Sequence, residues 1–430
     1  MSRYKKTISF LTINIVLWTI LLHPVLFIRA EKTEALSIQP DSIQSEKAGI
    51  KKTGIKANKN DGSETGTTVE LAAESALLME ASTGKILYEK NSEEQKPPAS
   101  VTKIMTLLLI FEALDSGKLK LTDDITVSAY AASMGGSQVY LEPGETQTVE
   151  TMIKCIAVAS ANDACVAMAE HLSGSEEAFV SRMNERAKEL KMEHTNFVNC
   201  CGLDIDGHET CAKDIALMSR ELTVKHPDIF TYSSIWMDEF THTTKKGESV
   251  FGLSNTNKLL RNYEGCNGLK TGSTSKARFC LSATATRNNI SLIAVVMACP
   301  DSKIRMKDAA SLFNYGFANV TLYQDEKPGE KIGAIPLRGG KERTVAYEEP
   351  ETFTYVLTKD EDSSAIQKEV KIAEGLKAPV KKGETIGEIE YSMNGKPIGA
   401  IPIRAAAGIE KSSFLYSYGQ LWNRILPQSW

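Results

Sequence analysis

The stretch KPPASVTKIMTLLLIFEAL, residues 96–114, sets a serine and a lysine three apart at the mouth of an apolar run. The residue before a proline avoids the helical region, so the spacing predicts a helix starting after Pro98. Ser100 then falls at or near the N-cap, where serine satisfies free N–H groups. Lys103 lies one turn on and faces the same way. A lysine in a first turn opposes the helix dipole, which favours anions there. The same field favours neutral lysine, and a neutral amine beside a hydroxyl is a general base beside a nucleophile. Capping alone would also explain Ser100, so the pair needs partners elsewhere.

Two further segments supply them. In ASANDACVAMAEHL, Ser160 and Asn162 stand at a break between two apolar helical runs; capping and turn chemistry are their bland reading. In NGLKTGSTSKARFC, Lys270, Thr271, Gly272 and Ser273 lead towards a hairpin. A strand edge carrying a lysine, hydroxyls and a glycine would let an extended substrate backbone lie alongside. Each segment alone is a weak signal. Together they place two lysines and several hydroxyls in three groups, about 60 and then 110 residues apart.

The elements that must hold these groups are legible in outline. ESALLMEASTGKILYEKN reads as strand, turn at Ser82 to Gly84, strand. ARFCLSATATRNNISLIAVVMAC reads as a second hairpin turning at Arg287 to Asn289. Between them runs a long mixed helical and strand region, which we bound at 70–318 as a catalytic domain. From about residue 319 to 408 the texture changes to short strands with glycine and proline turns, a smaller all-β domain. IGAIPLR and IGAIPIR are near copies within it, and Pro336 and Pro402 suggest edge strands or strand ends. In residues 411–430, Phe414, Tyr418, Leu421, Trp422 and Ile425 recur on one face of an amphipathic helix. This face suits the surface of a membrane, with little help from charge because Lys411 and Arg424 are offset by Glu410.

The chain has 430 residues, 42% hydrophobic and 24% charged, with a net charge of −4. That balance fits two globular domains and, without a basic block, excludes nucleic acid as a partner class. Residues 1–30 are a basic segment, an apolar run and Ala30, the pattern of a secretory signal. The run is also long enough to stay as an anchor; either way the remainder is exported. Residues 31–69, rich in Lys, Glu, Ser, Thr and Gly, read as a disordered spacer. Export permits disulfides, yet the eight cysteines show no C-x-x-C or other metal-ligand spacing. They read as buried free thiols, with no metal and no cofactor.

The three groups taken together are the S-x-x-K, S-x-N and K-T-G set of penicillin-binding enzymes. From about residue 70 onward the chain resembles the low-molecular-mass penicillin-binding proteins that are D-alanyl-D-alanine carboxypeptidases. The segments GSQVYLEPGE, NDACVAMAEHLSGSEEAFV, TNFVNCCGLD, NTNKLL and PDSKIR carry the likeness further. It departs at Cys201, where the family often has Pro or His, at Arg278, where it usually has Gly, and at GHETCAKD. The resemblance implies an α/β transpeptidase-like domain, an antiparallel sheet flanked by helices, followed by the all-β domain and the tail helix. It implies Ser100 as acylated nucleophile, Lys103 as base, Ser160 as proton relay and Asn162 as a substrate-amide contact. Lys270 would add positive charge near Lys103 and, with Thr271 and Gly272, contact substrate. Backbone N–H groups of Ser100 and Ser273 would form an oxyanion hole, each such donor lowering the barrier by roughly 3 kcal/mol. Arg305 would hold the terminal carboxylate of D-alanine. The expected substrates are peptidoglycan stem peptides, with β-lactams as covalent inhibitors. A serine β-lactamase is the first rival, but no E-x-x-L-N follows Ser160. A penicillin-sensing domain that stays acylated is the second, and no signalling module accompanies this one.

Overall fold

Five antiparallel strands form the central sheet, in the order Ile86–Lys90, Ser75–Glu80, Ile290–Cys299, Arg278–Arg287 and Cys266–Thr274. The computed structural model describes residues 69–330 and 332–425. The expected leader and, apart from Val69, the spacer lie outside them, as does the end of the tail.

The two middle strands are apolar at nearly every position because both faces are covered. Leu77 and Met79, with Ile293, Val295 and Met297, point into one core. Ala76 and Leu78, with Leu292, Ala294 and Val296, point into the other. This is the two-residue period of a strand seen from both sides. The first core is built on the helix Lys103–Asp115, in which ten residues are buried, so its apolar run needs no amphipathic stripe. The second is closed by the helix Ser302–Asn319 through Ala309, Leu312 and Phe313. The hairpin turn falls at Asn288 and Asn289, both with positive φ, as the tight two-residue turns require.

Beyond Asn319 lies the all-β domain. Its three-stranded sheet runs Ile366–Ile372, Thr385–Met393, Lys396–Arg404. Pro402 sits on an edge strand of that sheet and Pro336 in a two-residue strand, positions where a missing N–H is harmless. Phe353 stacks on buried Tyr391 at 3.7 Å between ring centroids. The helix Phe414–Ile425 follows. Phe414, Leu415, Tyr418, Leu421 and Trp422 are each more than half exposed, so these side chains do not pack on the β domain.

Candidate active site

Ser100 is not the N-cap of a regular helix. It lies in a 3₁₀ turn, Ala99–Thr102, and the α-helix begins at Lys103. Ala99 is left-handed, with φ +50°. Two glycines account for the tight turn. A β-carbon on Gly202 would stand 1.9 Å from Ala99 O, and one on Gly272 would stand 2.9 Å from Ser100 N. The glycine of K-T-G thus lets the serine turn approach the edge strand closely.

Lys103 is wholly buried, and its Nζ reaches three acceptors: Ser100 Oγ at 3.1 Å, Asn162 Oδ1 at 2.6 Å and Cys201 O at 2.6 Å. When the amine is neutral, the two carbonyl-type oxygens take its two hydrogens. The lone pair is then left for the Ser100 hydroxyl, whose proton it can accept. The Cys201 carbonyl is aimed by Asn199, whose Oδ1 accepts from the N–H groups of Cys201, Gly202 and Leu203.

Ser160 is left-handed, with φ +62°, in the break between the helices Val149–Ala157 and Asn162–Ser173. Its buried Oγ has no hydrogen-bond partner. Asn162 opens the second of those helices, donates from Nδ2 to Gly135 O and from N to Ser137 O. Lys270 Nζ donates to Thr271 O, and burial, then the Lys103 charge, holds its pKa well below the usual lysine value. Thr271 Oγ1 pairs with Thr256 Oγ1. Ser273 is exposed further along the edge strand.

Arg305 is buried and donates from Nη1 to Gly272 O at 3.0 Å and to Cys280 O at 3.1 Å. Its Nε has no partner. Among the described residues only three buried side-chain polar atoms lack one, and Ser160 Oγ and Arg305 Nε are two of them. Unpaired buried groups are costly and rare, so the open Ser160 hydroxyl and Arg305 guanidinium N–H are each free to pair with a polar ligand. Of the nine sequence-selected residues, Ser100, Lys103 and Asn162 are joined through Lys103 Nζ, Gly272 lies against the Ser100 turn, and Arg305 reaches Gly272 O.

Sequence reasoning missed the supports: Asn199, Thr256, Asp163 and His208. The buried carboxylate of Asp163 accepts from the N–H groups of Val139 and Leu141. His208 Nδ1 accepts from Val198 N, so in the neutral ring Nε2 carries the proton, 2.8 Å from Thr102 Oγ1. Burial lowers its pKa to about 4, and so it braces the serine turn as a neutral donor. A polar residue in a loop gave no signal of such a role; TNFVNCCGLD and GHETCAKD hinted at it only as segments.

The cysteines are unpaired, and seven of the eight are buried. Burial pushes the Cys165 and Cys211 thiols up to about 12, where they stay protonated and unreactive. Two side-chain triplets have the closeness for a cation that C-x-x-C spacing cannot reveal: Glu176–Cys200–Cys201 and His194–Cys211–Asp214. Glu176 already accepts from Cys200 N and Tyr130 Oη, and Asp214 from His194 N and Thr195 Oγ1.

An antiparallel sheet between helices, with a serine turn and buried lysines at its edge, defines an active-serine, penicillin-binding enzyme. The family model for D-alanyl-D-alanine carboxypeptidase matches residues 60–301, and that for the C-terminal domain of penicillin-binding protein 5 matches residues 317–411. The chain belongs to the D-alanyl-D-alanine carboxypeptidase family. It is 41% identical to the D-alanyl-D-alanine carboxypeptidase DacF of Bacillus subtilis over 83% of this chain and 90% of that one. With DacC of Escherichia coli it shares 31% over 81% and 86%. Among solved structures it is similar to penicillin-binding protein 5 of Haemophilus influenzae, at a TM-score of 0.61 and 29% identity, covering 80% of this chain and 99% of that one. The protein is a serine-type carboxypeptidase of the cell wall and binds penicillin.

Proposed function

We propose that Ser100, Lys103 and Ser160 carry out the reaction, with Asn162, Lys270, Thr271, Gly272, Ser273 and Arg305 binding substrate. The observation that carries this is the three-way contact of Lys103 Nζ with Ser100 Oγ, Asn162 Oδ1 and Cys201 O. Ser100 Oγ attacks the carbonyl carbon of the penultimate D-alanine while its proton passes to Lys103. The oxyanion forms towards the N–H groups of Ser100 and Ser273. As the C–N bond breaks, the leaving amine takes a proton through Ser160 Oγ. Water then cleaves the ester, and Ser100 regains its proton. Arg305, a buried cation with no carboxylate partner among the described residues, takes the terminal carboxylate. The substrates in this reading are stem peptides, with catalytic work in 70–318.

We further propose that the enzyme is exported by a signal in residues 1–30, through a spacer at 31–69, and acts on the outer face of the cytoplasmic membrane. The all-β domain, 319–408, and the helix in 411–430 hold it there, the helix lying in the interface. No described helix is long and apolar enough to cross a membrane, which interfacial binding does not need.

The test is covalent labelling. Fluorescent penicillin should label the wild type and leave Ser100→Ala unlabelled, while Lys103→Ala should acylate slower by about 10² to 10⁴. Labelling of Ser100→Ala would remove Ser100 from its role. D-alanine release from diacetyl-Lys-D-Ala-D-Ala checks turnover.

A further inference from the structure

We propose that His194, Cys211 and Asp214 bind a zinc ion, which clips together the two ends of the loop that supplies Cys201 O to Lys103. Their ligand atoms, a ring nitrogen, Sγ and a carboxylate oxygen, all lie within 4.8 Å of one another. Zinc bonded to all three at its usual lengths would set them about 3.3–3.6 Å apart, so a small turn of the His194 ring completes the grip. That ring is half-buried. Among the described residues the hydrogen bonds of His194 are made by its backbone, through N to Asp214 and through O from Gln95. The ring nitrogens are left for a metal.

The other two ligands are already aimed. Asp214 accepts from His194 N at 2.8 Å and from Thr195 Oγ1 at 2.7 Å, both on Oδ2, which leaves Oδ1 for a cation. Thr195 gives its one hydrogen to that carboxylate, so Thr210 Oγ1, 2.7 Å away, donates to Thr195. Outer partners of this kind hold a ligating carboxylate in place. Cys211 is the N-cap of the helix Ala212–Lys225, and its Sγ accepts from Asp214 N at 3.4 Å. A helix N-terminus favours an anionic sulfur, and zinc binding releases the thiol proton to water. Thiolate, imidazole and carboxylate together suit zinc rather than magnesium or calcium. The half-buried His194 side is the entrance, and a water molecule fills the fourth position. In the other triplet Glu176 has a donor on each oxygen, and all three residues are buried. It offers neither an unpaired oxygen nor an entrance.

His194 and Cys211 flank the segment that carries Asn199, Cys201 and His208. Two backbone bridges lie just inside them, Asn196 with Glu209 and Lys96 with Thr210. The second ties the segment to the start of the stretch that ends in the serine turn. A metal clip across the ends removes loop freedom from the unfolded chain. In the folded chain it steadies the segment that places Cys201 O 2.6 Å from Lys103 Nζ.

The probe is Zn²⁺ alone, added to chelator-treated enzyme. The wild type should take up one zinc per chain and melt about 5–10 °C higher at a zinc concentration about a hundredfold above its Kd. Co²⁺ in its place should give thiolate-to-cobalt charge-transfer absorption. Cys211→Ser keeps a good helix cap, and His194→Ala keeps the N–H that Asp214 accepts, so both should fold. Both should lose the zinc-dependent rise, and Cys211→Ser should also lose the cobalt–sulfur absorption. No rise in the wild type, or a rise that both variants retain, would overturn the site.

Discussion

A β-carbon on Gly272 would lie 2.9 Å from the backbone nitrogen of Ser100, and equally close to Pro98 O and Val101 N. All three are backbone atoms of the serine turn, so none can swing aside. Gly272→Ala must push the edge strand and the turn apart. We expect a loss of about 1–3 kcal/mol in stability and a fall of about 10² in penicillin acylation, because the proposed oxyanion donors, the N–H groups of Ser100 and Ser273, lie on both sides of the gap. Stopped-flow acylation and thermal melting read the two effects. A variant that acylates and melts as the wild type does would show that the approach is not tight.

Arg305 rests on the carbonyl oxygen of that same Gly272. Arg305→Ala should lower turnover of peptides with a free C-terminus by about tenfold to a hundredfold, the size of a charge-assisted bond. Arg305→Lys should recover little, since a fork of donors is lost. Amidated peptides should be poor substrates of the wild type and no poorer for Arg305→Ala. If both enzymes discriminate equally, Arg305 does not read the carboxylate.

His208 gives the fold a sensitivity to acid. Its pKa falls from the usual 6.5 to about 4 in the folded protein, so between those values the unfolded chain binds more protons. Stability therefore rises with pH across that window: it is complete above 6.5 and declines as pH drops towards 4. The contribution is at most about 3 kcal/mol. His208→Gln keeps a donor for Thr102 Oγ1 but cannot titrate, so its melting temperature should fall less between pH 7 and 4. Parallel losses in the two proteins would assign the acid sensitivity elsewhere.

The tail helix leaves a row of aromatic side chains in water: Phe414, Tyr418 and Trp422 stack at successive turns, 6.3 and 6.1 Å apart. Burying each in a membrane interface would contribute on the order of 1.5–3 kcal/mol. Deleting residues 411–430 from a form lacking the leader should abolish co-sedimentation with vesicles. Melting temperature and activity should stay, and anionic lipid should matter little. A truncated enzyme that still sediments, or that melts lower, would defeat the anchor.

The residue types of the cleft were readable from the chain because their chemistry is local. Ser100 and Lys103 share a helical face by spacing alone, and the apolar run behind them had to be buried. The strands at Ser75–Glu80 and Ile290–Cys299, the turn at Asn288–Asn289 and the edge placing of Pro402 follow from two-residue alternation, positive φ and a missing donor. The aromatic period of the tail is equally local.

What spacing could not contain is every contact made across the fold. The chain does not say that the Cys201 carbonyl, 98 residues beyond Lys103, takes one of its hydrogens, or that His208 braces Thr102. Nor does it say that the glycine of K-T-G lies against the serine turn. A backbone carbonyl belongs to every residue alike, so its role is invisible until packing aims it. A glycine announces only that a side chain is unwelcome. The sequence pointed to the groups proposed to react; the tertiary structure decided their distances, the acceptors around Lys103 Nζ, and which buried polar atoms are left without a partner.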